Sequence, residues 1–216
     1  MAKETRTARG SAGKRKRSTT TQEPPARASR RPASPARAAP RDRKLPVDLG
    51  RALVEAFLTN ERINQVLLDL LEPRIWRAFP ASSPRRNIAT SFAHIHNVRC
   101  TRLKLSDPSN APPARLERGE VTPDEAREAL AASARAMARL VERSLEAGGH
   151  VPNHRPDVVA LVCAAITHEA HHRGQICHWA RELGAPITPE QQLRLWEWEK
   201  RWKEVAGAGT DAGASR

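Results

Sequence analysis

The stretch Thr167–Ile176 reads THEAHHRGQI and holds three of the chain's eight histidines. His168 and His172 stand four apart, so on a helix both imidazoles share one face, one turn apart. Imidazole nitrogens suit zinc, nickel and related divalent ions, and two on one face make part of a metal site. The same residues also spell His168-Glu169-x-x-His172, in which Glu169 would be the general base of a zinc protease. Such enzymes set this helix beside a sheet edge. No part of this chain shows sustained two-residue alternation, so the protease reading has no sheet to use.

The element that must carry the pair is a helix from about Pro156 to Leu183, ending at Gly184 with Pro186 beyond. Its apolar residues are Val158, Val159, Leu161, Val162, Ala165, Ile166, Ile176 and Trp179. On a wheel of about 100° per residue with Leu161 at zero, His168 falls near about −20° and His172 near about +20°. Ala165, Ile176 and Trp179 share that sector. His171 and Glu169 fall roughly 80° to either side, and Arg173 about 120° away. Two imidazoles at the centre of an apolar stripe are expensive when unpaired, about 1–3 kcal/mol for each orphaned group. A ligand role accounts for the pair better than the alternative of two hydrogen-bonded core residues. Glu169 is a candidate to orient a ligand or act as a base, with a surface or interhelix salt bridge as the plainer expectation. His171 and Gln175 are candidates for the rim of the site.

A third ligand has to come from another element. A helix predicted over about Arg85–Leu105, opened by Ser82-Ser83-Pro84, offers His94 and His96 beside a stripe of Ile88, Phe92, Ile95 and Val98. With Ile88 at zero the two lie about −120° and about +80° away, so both flank the stripe and periodicity does not choose. His150 and His154 sit in the loop before the histidine-rich helix.

Three further helices complete the pattern. Asp48 can cap one that runs to about Leu71 and stops before Pro73. Asn60 sits in its middle, either exposed or turned into a pocket. Thr122-Pro123-Asp124-Glu125 is a capping box with proline at the first helical position, opening a helix that stops at Gly148-Gly149. Thr188-Pro189-Glu190-Gln191 opens a fifth, which carries Leu193, Leu195, Trp196, Trp198 and Trp202. The expected fold is all-α: an up-down four-helix bundle with one long crossover, Asp107–Gly119, and an additional C-terminal helix.

The charge is uneven. Residues 1–46 carry 14 Lys/Arg against 3 Asp/Glu, whereas the other 170 residues carry 23 against 21. The basic character therefore belongs to the N-terminal segment. That segment is rich in Arg, Pro, Ala, Ser and Thr and is too poor in apolar residues to offset its chain entropy, so a disordered tail is expected there. It could touch nucleic acid weakly and without sequence preference. The folded domain is expected over 47–206, with a second disordered tail over 207–216. Cys100, Cys163 and Cys177 form no CxxC pair and are expected as small core residues in a reducing cytoplasm. No run is long and apolar enough to span a membrane.

His94 within TSFAHIHNVR (Thr90–Arg99), followed by HEAHHRGQI (His168–Ile176), resembles the DinB family of metal-binding helical bundles, which includes DinB/YfiT-like proteins and thiol-dependent S-transferases. The resemblance covers roughly Asp48–Lys203. It implies a three-histidine site of His94, His168 and His172, because the family's helix-two ligand lies seven residues after the opening position, here Asn87. It also implies Asn60, Asn97 and Arg99 as pocket candidates, and WEWEKRW (Trp196–Trp202) resembles the C-terminal end of one branch. Three histidine ligands leave a position open for water or substrate, as in catalytic sites. The expectation is a divalent metal and a metal-dependent transferase or hydrolase. It would act on a small molecule, with a low-molecular-weight thiol as cosubstrate and a homodimer as the assembly. The competing expectation is a non-catalytic metal-binding stress-response module, tethered to nucleic acid by the basic tail.

Overall fold

The computed structural model describes residues 47–211, with side chains through Gly207. The predicted N-terminal tail and the last residues of the predicted C-terminal tail lie outside the described residues. Six helices follow in order: α1 (Leu49–Leu70), α2 (Ile88–Ser106), α3 (Pro123–Glu146), α4 (Val158–Glu182), α5 (Pro189–Trp196) and α6 (Trp198–Asp211). A short 3-10 turn, Pro73–Ile75, follows α1. The described residues contain no strand, only an isolated bridge between Val151 and His154.

Local chemistry explains most of the boundaries. The Asp48 side chain accepts from the Arg51 N–H, and Thr122 and Thr188 form reciprocal capping boxes with Glu125 and Gln191. Helix α3 ends where Gly148 and Gly149 take positive φ of 70° and 89°, a conformation that glycine adopts without a Cβ clash. Helix α2 departs from expectation. It begins at Ile88, because Asn87 and Thr90 make the capping box. The preceding Ser82 is instead tied to α4, its N–H and hydroxyl both donating to Glu182. The predicted fifth helix is broken at Glu197 into α5 and α6, and the α6 backbone stays helical to Asp211, past the Gly207 where a tail was expected.

The long helices pack in the pairs α1–α3, α1–α4, α2–α3, α2–α4 and α3–α4, and α6 lies against α1. Trp202 donates to Glu55 at 2.7 Å and Arg62 pairs with Glu204 at 2.6 Å across the α1–α6 contact. Two apolar clusters form the core. One contains Leu67, Trp76, Phe92, Leu130, Ile176 and Trp179. The other contains Phe57, Leu103, Ala134, Met137, Val141 and Leu161. Every long helix contributes to both clusters, and each places polar residues between its two contributions. These are Asn60 and Asn64 on α1, Arg99 on α2, Ser133 on α3, and His168, Glu169 and His172 on α4. The candidate site belongs to this polar layer.

Several residues expected inside are outside. Leu49, Val98 and Val159 are exposed, and so is Cys163, while Cys100 is buried and Cys177 partly so. A wheel assigns an apolar residue to the core by type, but these four lie where no neighbouring helix covers them.

Candidate metal centre

Helix α4 brings His168 and His172 one turn apart, and α2 supplies His94 opposite them. The His168 Nε2 lies 3.1 Å from the His172 Nε2 and 3.3 Å from the His94 Nε2. One nitrogen from each of the three residues falls within a common span of 4.8 Å. With metal–nitrogen bonds of about 2.1 Å, nitrogens at tetrahedral angles stand about 3.4 Å apart, so the separations of His168 from His172 and from His94 are compatible with a shared ion. His172 is buried, whereas His94 and His168 are partly exposed.

Protonation suits this role. Burial and the neighbouring rings His172 and His168, with Arg118 and Arg86, push His94 down to about 4. Burial lowers His172 as well. It also lowers His168, although the Glu169 carboxylate works against the shift. Neutral rings expose the lone pairs that a metal requires. The His172 Nδ1 lies 2.9 Å from the Gln175 Oε1, so Nδ1 carries the proton and donates, leaving Nε2 free to face the other two rings. Gln175, expected at the rim, thus sets a tautomer. His171 is exposed with its ring centroid 5.3 Å from that of His172. It lines an open depression of about 820 Å³ together with Ser82, Arg86, Gln175 and His178.

His96 goes elsewhere. It is fully buried, with Nδ1 2.9 Å from the Ala129 carbonyl and Nε2 2.8 Å from the Ala114 carbonyl. The ring thereby ties α2 to α3 and to the crossover. Asn97 does similar work. Its side chain donates to the Leu116 carbonyl at 2.9 Å and accepts from the Leu116 N–H at 3.0 Å. As an expected pocket residue, Asn97 is instead the clasp of the crossover loop. His150 and His154 remain in the loop before α4, apart from the cluster.

Behind His168 lies a buried ionic network. Arg99 grips Glu169 with two bonds of 2.7 Å and meets Glu61 at 2.7 Å. It also donates to the Leu130 carbonyl at 3.0 Å. Asn60 and Asn64 donate to the same Glu169 oxygen at 2.6 and 2.7 Å, and Arg173 donates to Asn64 at 2.7 Å. Burial opposes charge on both partners. The Arg99 guanidinium nevertheless holds Glu169 below the usual carboxylate range, and Glu169 and Glu61 raise Arg99. Glu169 is only 1 % exposed and both its oxygens are occupied, so it has no free position from which to act as a protease base. Of the surface or interhelix salt bridge expected for it, the structure has the interhelix one, and it is buried.

Sequence reasoning reached Asn60, Arg99 and Glu169 but missed Glu61, Asn64, Arg173 and Arg118. The signal for the first two was present: Asn60, Glu61 and Asn64 interrupt the face that carries Phe57 and Leu67. Arg118, on the crossover, places Nη2 3.3 Å from the His94 Nδ1, a contact no helical pattern encodes.

A family model described as DinB family matches residues 59–204. No curated protein and no solved structure matches the chain. The matched segment begins within α1, ends within α6 and takes in all three clustered histidines, and the chain accordingly belongs to the DinB family.

Proposed function

We propose that His94, His168 and His172 hold one divalent ion, zinc or nickel, through their Nε2 atoms, and that the protein is a metal-dependent enzyme of the transferase or hydrolase type. The observation that carries this reading is the convergence of three neutral imidazole nitrogens, one of them tautomerically set by Gln175. Bound there, such an ion would supply Lewis-acid polarisation and would lower the pKa of a thiol or a water that reached it. The chain's own residues do the rest. Gln175 keeps the proton of His172 on Nδ1. The Arg99–Glu169 pair locks α2 against α4 one turn from the ligands. The partial exposure of His94 and His168 leaves the cluster reachable from outside, which favours a catalytic over a sealed structural site.

A low-molecular-weight thiol is the cosubstrate of choice in this reading, and the cytoplasm its setting. The four long helices would take the up-down arrangement. A homodimer belongs to the same reading, supported by the exposure of Trp196, 81 %, on the α5–α6 segment.

Metal content by mass spectrometry tests the ligand set. Wild type should hold one equivalent, and His94→Ala, His168→Ala and His172→Ala should each lose most of it. Stoichiometric metal in all three variants would refute the site. The metal-loaded protein would then be offered glutathione, mycothiol and bacillithiol with electrophiles. Absence of turnover, together with an unperturbed metal spectrum on adding each thiol, would remove the thiol-transfer reading and leave the metal site standing.

A further inference from the structure

A groove between α2, α3 and α4 is lined by one member of the histidine cluster, His168. Its volume is about 210 Å³. Ile95 and Val98 from α2, Leu161 and Ala165 from α4, and Met137 from α3 give it apolar walls, and the Arg99–Glu169 pair, whose charges offset each other, also lines it. His168 lines one part and Arg102 another. Val98 is 37 % exposed and Ala164 is exposed, so the groove opens along its side.

Charge sets Arg102 apart from Arg99. Arg99 is matched by two carboxylates, Glu61 and Glu169. Arg102, nearly a turn further along α2, is paired with no carboxylate among the described residues. It acts on His154, whose pKa is lowered first by burial and then by the Arg102 charge, with Asp157 working in the opposite sense. The His154 Nε2 is buried and has no hydrogen-bond partner. Asp157 is engaged in capping α4 through the Ala160 N–H at 2.9 Å. A guanidinium without a counter-charge, near a buried and unpaired imidazole nitrogen, is a setting an oxyanion would complete. Along α4 the seven residues from Leu161 to His168 rise about 10 Å.

We propose that this groove binds an organic anion with an apolar body, its oxyanion on Arg102 and its other end at the histidine cluster. The substrate class is thus a medium-chain carboxylate or a molecule of similar length and polarity. The placement at the cluster rests on the proposed metal-enzyme reading, but the groove can be tested without turnover and without metal.

The experiment uses the full chain, metal-stripped and metal-loaded, with octanoate as the probe and calorimetry as the readout. Saturable binding to both forms is expected. Arg102→Gln should weaken it at least tenfold in the metal-stripped form, and Ala164→Phe, which fills the opening from an exposed position, should weaken it similarly. 1-Octanol should bind at least tenfold more weakly than octanoate. Equal binding of octanol and octanoate, or unchanged affinity in a folded Arg102→Gln protein, would overturn the proposal. So would the lack of saturable binding by hexanoate, octanoate and decanoate alike. Metal content measured on the same samples separates the two ideas. Octanoate binding in a protein that never takes up metal would sink the enzyme reading alone, and stoichiometric metal without octanoate binding would sink the groove alone.

Discussion

The Gln175 Oε1 stands 2.9 Å from the His172 Nδ1, and that single contact decides which imidazole nitrogen faces His94 and His168. Gln175→Leu removes the acceptor without touching a proposed ligand. Outer partners of this kind are worth about 10- to 100-fold in metal affinity. A loss in that range is expected for Gln175→Leu, while Gln175→Glu, which keeps an acceptor, should bind at least as well as wild type. Competition with a chromophoric chelator measures both, and equal affinities in wild type and the leucine variant would count against the tautomer argument.

Arg99 and Glu169 are buried together; removing Arg99 strands Glu169 and takes the guanidinium from Glu61, and removing Glu169 leaves Arg99 with Glu61 alone. Breaking such a pair costs about 3–5 kcal/mol. Glu169→Ala and Arg99→Met should each lower the unfolding free energy by about that amount in urea titrations. The double variant should lose less than the two single losses combined, since Glu169 is no longer there to be stranded and only Glu61 lacks its guanidinium. Simple additivity would mean the two side chains do not act as a pair.

His94 changes charge on a different schedule in the folded and unfolded chain. Its folded pKa is near 4, below the ordinary 6.5, and His168 and His172 are shifted in the same direction. Between those values the unfolded state binds more protons, so stability rises with pH there. The metal-stripped protein should therefore be stable above about pH 6.5 and lose stability as the pH falls toward 4. Thermal midpoints across that window should fall more steeply in wild type than in His94→Ala. Parallel curves would contradict the assignment of shifted histidines.

His96 offers a contrast with its neighbour two positions earlier. His96→Ala deletes the ring's contacts to the Ala114 and Ala129 carbonyls and empties the space of a fully buried side chain. The expected loss is about 1–3 kcal/mol of stability, with faster amide exchange at Leu116. Metal stoichiometry should stay at the wild-type value. Loss of metal in His96→Ala with retention in His94→Ala would reverse the two roles.

Cys163 and Cys100 should separate by reactivity. Cys163 is exposed, whereas Cys100 is buried and its thiol is pushed up mainly by burial. In the native protein a thiol reagent should label Cys163 quickly and leave Cys100 unmodified until denaturant is added. Peptide mapping after labelling reads the order directly.

Much of this protein was legible one helical turn at a time. Asp48, Thr122 and Thr188 mark helix starts because a cap acts within three residues of itself. Gly148 and Gly184 mark ends for the same local reason. The spacing of His168 and His172 was enough to join them on one face. By its pattern alone the sequence therefore determined an all-helical chain and two members of the histidine cluster, and its resemblance to a family pointed to His94. Tertiary structure decided what depends on neighbours far along the chain. His94 and His96 flank the same apolar stripe, and only the placement of α4 beside one, and of α3 and the crossover beside the other, separates them. Glu169 likewise looks peripheral on a wheel, because a wheel sorts by hydrophobicity. It is buried because Arg99 from α2 and Asn60 and Asn64 from α1 meet it there. A charge can occupy a core only where partners from other helices neutralise it, and such partners are fixed by packing across the bundle.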